Sequence, residues 1–445
     1  MNRLIPGIPF LAALSLVLFA IFNYALSERI PDPILEGSAR PVAEMECTAI
    51  NAISPVGEND FQWLSLEKIC EKALEENSVV NIETTSEDHN LTAQKVSSEK
   101  DEVIWSSLQL NHQKTALAFF SQKKLFIVDL TTGDSKRIHD LLSEEKNAYY
   151  NPSITWSPNG EYLTFTVVKE NNRWNGQNSY STYLVNLTSE DIHSIHQTQQ
   201  APESPTWSPK GDYIALDSPV VLYDLARKHG TTIVSGYHTR YPRWSPEGHH
   251  IIFIQETSST RGETFRYSLD TREVIQITAL NRVTSPLLWL QTPPTILLEV
   301  ETKKSSNRPE RHHIGEARPH TESSIRWLSS FDRNESNRFL TLSPNERYLI
   351  IQKTANLGTK DEENHLIAIN REQSFYSWRC VSIAPLEDPK TLTFQWTDDG
   401  RLLYNKDGQA FIFDFERLTI EEFEEQEEEI RLLGIKGQTI YYSPF

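Results

Sequence analysis

Three short runs constrain this 445-residue chain more than anything else in it. Trp156-Ser157-Pro158-Asn159-Gly160, Trp207-Ser208-Pro209-Lys210-Gly211 and Trp244-Ser245-Pro246-Glu247-Gly248 each lead into a short apolar segment. With the Trp as position zero, the slot recurs at Leu110, Trp156, Trp207, Trp244, Trp289, Leu342 and Trp396, at intervals of 37 to 54 residues. Seven places on stand Leu117, Leu163, Ile214, Ile251, Ile296, Leu349 and Leu403, aliphatic in every repeat. Nine places on stand Phe119, Phe165, Leu216, Phe253, Leu298 and Ile351, and only Asn405 departs from the pattern. Alternate residues of a strand share a face. The two positions therefore predict one buried layer, rebuilt in every repeat of a repeat architecture.

The rest of each repeat reads as further strands. Phe126-Ile127-Val128-Asp129-Leu130, Tyr183 to Leu187, Val221 to Leu225, His365 to Asn370 and Phe411 to Phe415 are apolar segments ending near an Asp or Asn, a residue suited to a turn. Ser-Pro-x-Gly closes the first hairpin, because Pro fixes φ and Gly permits a positive φ. A single four-stranded antiparallel sheet cannot bury both of its faces, whereas a ring of them can. The expected fold is all-β: a seven-bladed β-propeller over residues 103–425. Six blades are the alternative, because the repeat at Trp289 lacks Ser-Pro and Gly and runs into the polar, His-rich stretch 301–324. Ring closure falls to Ser78-Val79-Val80-Asn81-Ile82, or to a C-terminal tail, 426–445, packing on the ring through Gln438 to Tyr442.

Residues 4–26 carry no charge, and Arg3 precedes them. Residues 1–27 therefore read either as a secretory signal or as an uncleaved membrane anchor, and both place the chain outside the cytoplasm. Residues 28–102 form a linker and a small unit. In it Leu66, Ile69, Cys70, Ala73 and Leu74 have the spacing of an amphipathic helix. In an oxidising compartment Cys47 and Cys70 are expected to form a disulfide.

Lys and Arg number 43 against 61 Asp and Glu, a net charge of -18, which argues against a nucleic-acid partner. The three cysteines have no zinc or haem spacing. His249 and His250 open a strand and point to opposite faces, while His312, His313 and His320 fall in a polar insertion expected to be exposed. No metal and no cofactor is expected.

The Trp-Ser-Pro-x-Gly-x-x-(Leu/Ile)-x-Phe pattern resembles the WD-like repeat of TolB-type β-propellers, found also in the propeller domains of prolyl oligopeptidases and tricorn-type proteases. The resemblance implies a periplasmic or extracellular propeller that binds a protein or gates another domain. No Gly-x-Ser-x-Gly elbow occurs, so the peptidase chemistry finds no nucleophile here.

Ser-Pro-x-Gly turns mark one rim of such a ring, and the longer connections lie on the other. Long loops on a rigid scaffold are where binding concentrates. The opposite rim carries Tyr149, Tyr150, Arg173, Trp174, Tyr237, His238, Arg240 and Tyr241, of the residue types that anchor interfaces. The expected function is a non-enzymatic, extracytoplasmic binding or scaffolding propeller with a protein partner, held at a membrane if residues 4–26 persist. The alternatives are a glycan-acting hydrolase or lyase with an axial site, and a subunit of a larger envelope complex.

Overall fold

The structure, a computed structural model, describes residues 48–49, 53–55, 62–74, 103–121, 124–138, 148–170, 177–234, 238–258, 261–280, 282–291, 293–302, 309–319, 325–329, 334–371, 380–386, 392–406, 409–423, 430–436 and 439–444. The apolar stretch 4–26 and the segment Ser78 to Ile82 lie outside them. Among the described residues no helix is long and apolar enough to cross a membrane.

The sheets form a ring of eight blades, not seven or six: 109–138, 148–198, 206–232, 238–276, 283–327, 336–386, 393–422 and 430–444, numbered 1 to 8. Blades 1 to 7 each hold four antiparallel strands in chain order from the axis outward. The blade around Trp289 is complete, with strands Val283–Leu290, Thr295–Thr302, Arg311–Ala317 and Arg326–Trp327. Its third strand lies within the stretch expected to be an exposed insertion, and every residue of Arg311–Ala317 is buried, His312 and His313 included.

Blade 8 escaped the repeat pattern because it lacks the motif. Its strands Ile430–Lys436 and Thr439–Pro444 pair Lys436 with Thr439, so a two-residue connection replaces Ser-Pro-x-Gly. A third strand, Gln62–Ser65, joins Thr439–Pro444 in parallel. The C-terminal tail is thus part of the ring, and an N-terminal strand completes that blade. Two shorter strands precede it on the same path: Thr48–Ala49 lies parallel to Cys380–Leu386 of blade 6, and Ile53–Pro55 parallel to Thr419–Glu422 of blade 7. The N-terminal segment therefore pairs with the outer edges of blades 6, 7 and 8 in succession, covering backbone groups that an open edge would expose.

Helix α1, Leu66–Leu74, follows directly. Its Leu66, Ile69, Cys70 and Ala73 pack with Leu117 and Phe119 of blade 1 and Tyr441 of blade 8. The expected Cys47–Cys70 bridge is not formed. Cys70 is a free, buried thiol, and the disulfide-bonded cysteine is Cys380, at the head of the outer strand of blade 6. Cys47 lies outside the described residues.

Between blades the core is the layer expected from the repeats. All seven residues at the seventh place are 0% exposed. So are most of those at the ninth, and Asn405 is as buried as the Phe and Leu it replaces. Its amide donates to the Ile430 carbonyl at the start of blade 8, which explains a polar group in that layer. The motif Trp also ties blades together. Trp156 Nε1 donates to Gln109 O, Trp244 Nε1 to Thr206 O and Trp396 Nε1 to Thr341 Oγ1, each at 3.0 Å. In every case the acceptor residue stands one place before the motif position of the preceding blade.

The turns follow from the same residues. The Ser157, Ser208 and Ser245 hydroxyls accept the N–H five places on, at 2.9, 3.0 and 3.1 Å. Gly160, Gly211 and Gly248 take φ of 74°, 79° and 78°, and in blade 6 Glu346 takes φ of 56° at that slot.

Candidate partner-binding rim

Because strands alternate in direction, the Ser-Pro-x-Gly turn and the turn between third and fourth strands share one rim. The turn between second and third strands and the connection to the next blade share the other. On that opposite rim three pieces of chain meet: connection 199–205, turn 217–220 and the start of inner strand His238–Trp244. Asp217 joins them. Its carboxylate is buried, with Oδ1 accepting the Tyr241 N–H at 2.9 Å and Oδ2 accepting the Glu203 N–H at 3.0 Å and the Ser218 hydroxyl at 3.2 Å.

Tyr241 needs this acceptor because the inner strand bulges there. Arg240 pairs with Ile254 and Arg243 with Ile252, so two residues stand opposite one. Tyr241 has φ of 56°, a region that L side chains adopt only when the surroundings fix it. The guanidinium of Arg240 lies 4.9 Å from the centre of the Tyr241 ring. It donates through Nη2 to Ala201 O at 3.3 Å and lies 3.6 Å from Asp217 Oδ2. Its Nε makes no hydrogen bond. Burial raises the Tyr241 phenol above its usual pKa, against the opposing pull of Arg240. Arg243, two places further in, donates to Pro242 O at 3.0 Å, and burial lowers its guanidinium pKa despite the charges of Glu203 and Asp217.

The arrangement recurs two blades away. Glu299 stands ten places after Trp289 as Asp217 stands ten after Trp207. Glu299 Oε2 accepts the Phe339 N–H at 3.2 Å, and Phe339, like Tyr241, stands three places before its own motif position at a bulge. In the blade between them the tenth place after Trp244 holds Ile254, within the strand His250–Ser258, and the next inner strand carries Pro286, which has no N–H to satisfy. The residue before Phe339 is Arg338, the counterpart of Arg240. It lies 3.1 Å from His312 Nε2 and 3.9 Å from Glu310 Oε1, with its side chain 57% exposed. Below it, His312 Nδ1 lies 2.7 Å from Glu299 Oε1. Among the described residues no group of three or more His, Cys, Asp or Glu is placed to hold a metal ion.

Of the residues expected on this rim, His238, Arg240 and Tyr241 come together on one inner strand, and exposed His238 meets Gln200 at 3.3 Å. Tyr149 lies at the start of the inner strand of blade 2 and is 47% exposed. Tyr150 shares that strand, while Arg173, Trp174 and Tyr237 lie outside the described residues. Sequence reasoning missed Asp217, Glu299 and Arg338. Aligning the repeats would have exposed them: a carboxylate ten places after one motif position is matched by an Arg four places before the next.

No family model matches the chain, and no curated protein does. It is similar to several solved structures. A prolyl endopeptidase structure shares 11% identity over 72% of this chain and 50% of that one, with a TM-score of 0.47. An oligogalacturonate lyase in complex with manganese shares 13% over 61% and 78%, with 0.41. TolB from Acinetobacter baumannii shares 13% over 92% and 98%, with 0.36. At these identities the likeness concerns the fold, and none of the neighbours' chemistry is carried to this chain.

Proposed function

We propose that this chain is a non-enzymatic binding propeller, working outside the cytoplasm, that engages a protein partner through the rim opposite its Ser-Pro-x-Gly turns. The observation that carries the reading is the Asp217 anchor. A buried carboxylate holds Tyr241 in a left-handed conformation and sets Arg240 over its ring, at the mouth of the ring of blades. Arg and aromatic side chains fixed from below lose little freedom on binding and suit interface anchors. Exposed Tyr149 adds an aromatic on the same rim. An extracytoplasmic setting is supported by the uncharged stretch 4–26 behind Arg3 and by disulfide-bonded Cys380.

The test places a photo-crosslinking amino acid at Tyr149 in one variant and at Lys210, on the Ser-Pro-x-Gly rim, in another. Irradiation in the native host is expected to give a discrete protein adduct from position 149 and none from 210. Adducts from 210 alone, or from neither, would sink the reading.

A further inference from the structure

Two arginines occupy equivalent places on this rim. Arg240 and Arg338 each stand four residues before the motif position, in blades 4 and 6, beside a carboxylate from the preceding blade, Asp217 and Glu310 respectively. The chain as a whole carries a net charge of -18, so paired guanidinium groups at the axial mouth run against its general surface. Neither is fully engaged. Arg240 meets a carboxylate already occupied by three other donors, at 3.6 Å, and its Nε is left without an acceptor. Arg338 is more than half exposed; its Nη2 lies 3.1 Å from His312 Nε2, and its carboxylate neighbour Glu310 lies at 3.9 Å. Arg243 adds a third guanidinium further in, whose single hydrogen bond goes to Pro242 O.

We infer that Arg240 and Arg338 form a two-point receptor for carboxylate side chains, and that the partner presents an extended acidic segment across the mouth of the ring. The inference rests on the proposed partner-binding rim and adds the chemistry of what binds there. A guanidinium fork matches a carboxylate in two parallel hydrogen bonds. Asp217, Glu203, Glu299 and Glu310 already offset Arg240, Arg243 and Arg338, which opposes a dianionic phosphate more than it opposes single carboxylates. Two receptors on separate blades, 4 and 6, suit a chain-like ligand that presents more than one carboxylate. The cavity of about 390 Å³ lined by Trp289, Phe339 and Leu342 runs along the inner strands of blades 5 and 6 towards the other rim, and includes neither arginine.

Fluorescence anisotropy tests this with the full chain and labelled dodecapeptides of alternating Glu and Ser, Gln and Ser, or Lys and Ser. The Glu peptide alone is expected to bind. Arg240→Met and Arg338→Met are each expected to weaken it about tenfold, and raising salt to about 0.5 M to weaken it further. Lys210→Met is expected to leave it unchanged. Arg338 is exposed, so its variant remains informative if Arg240→Met fails to fold. No binding of the Glu peptide, binding that survives Arg338→Met, or displacement by pyrophosphate below the peptide's own concentration would overturn the inference. A partner crosslinked at Tyr149 without Glu-peptide binding would overturn this inference and leave the rim reading standing.

Discussion

The buried carboxylate of Asp217 accepts the backbone N–H of Tyr241 at 2.9 Å, and so joins blade 3 to the bulge in the inner strand of blade 4. Truncation would strand the Tyr241 and Glu203 N–H groups and leave Arg240 without its counter-charge. Asp217→Ala is expected to lower stability by about 3 kcal/mol, the range for removing one partner of a buried charged network. Asp217→Asn keeps one acceptor oxygen and should lose less. Thermal unfolding of the two variants beside wild type checks the order, and equal midpoints for Asp217→Ala and wild type would refute the anchor.

The motif tryptophans allow a matched comparison. Trp244 Nε1 donates to Thr206 O at 3.0 Å, whereas Trp207 Nε1 is buried without a hydrogen-bond partner. Trp→Phe removes the same apolar area at both sites but a hydrogen bond at only one. Trp244→Phe is expected to be more destabilising than Trp207→Phe by about 1 kcal/mol. Denaturant melts of both variants read the difference, and a larger loss at Trp207 would contradict it.

Gly211 and Gly400 separate backbone strain from packing. Their φ values are 79° and 83°; a Cβ on Gly211 would sit 3.6 Å from Pro158 Cδ, and one on Gly400 would meet nothing within 4 Å. Ala at Gly400 therefore reports the left-handed conformation alone, at about 1 to 2 kcal/mol. Ala at Gly211 should cost much the same, since 3.6 Å is an ordinary contact. Calorimetry on the two variants would show unequal losses if packing, not conformation, selects these glycines.

Most of the ring could be read from the sequence because one physical demand recurs. A strand buried between two blades needs aliphatic residues at alternate places, and Leu117 through Leu403 meet that demand seven times. Blade 8 could not be read this way. A tight connection between Lys436 and Thr439 replaces the Ser-Pro-x-Gly turn, and its third strand comes from Gln62–Ser65 at the far end of the chain. The polar run around His312 misled for a different reason. The His312 imidazole is satisfied by Glu299 and its backbone N–H by the Ser336 hydroxyl, partners distant in sequence, so burial left no apolar signature. On the rim, Arg240 and Tyr241 were visible as residue types, but Asp217 is ordinary until the fold sets it under them.

Acid should weaken the region around His196. Burial lowers this imidazole below its usual pKa, outweighing its contact with Asp217 O at 3.1 Å and the Asp217 charge. The unfolded chain therefore binds the proton more readily than the folded one. The stability this site contributes is complete above the ordinary value of about 6.5 and is lost as pH falls below it towards the lowered folded value. His196→Gln keeps an N–H donor but cannot titrate. Its melting temperature relative to wild type is expected to rise between pH 7 and pH 5, and parallel curves would show that His196 contributes nothing to the acid sensitivity.

Only Cys47, Cys70 and Cys380 occur. Cys380 is disulfide-bonded, while Cys70 is free, buried in α1, and has its thiol pKa pushed far up by burial. Such a thiol is almost never the reactive thiolate. Cys47, outside the described residues, is therefore the expected partner of Cys380, and Thr48 pairs with Val381 beside them. Peptide mapping without reductant is expected to recover a Cys47–Cys380 cross-linked peptide, with Cys70 alkylated only after unfolding. The bridge would tie the N-terminal segment to blade 6, ahead of the strand that completes blade 8. Cys380→Ser is then expected to lower the thermal midpoint, by about 2 to 4 kcal/mol in free-energy terms. Recovery of a Cys47–Cys70 peptide instead, or rapid labelling of Cys70 in the native protein, would overturn this assignment.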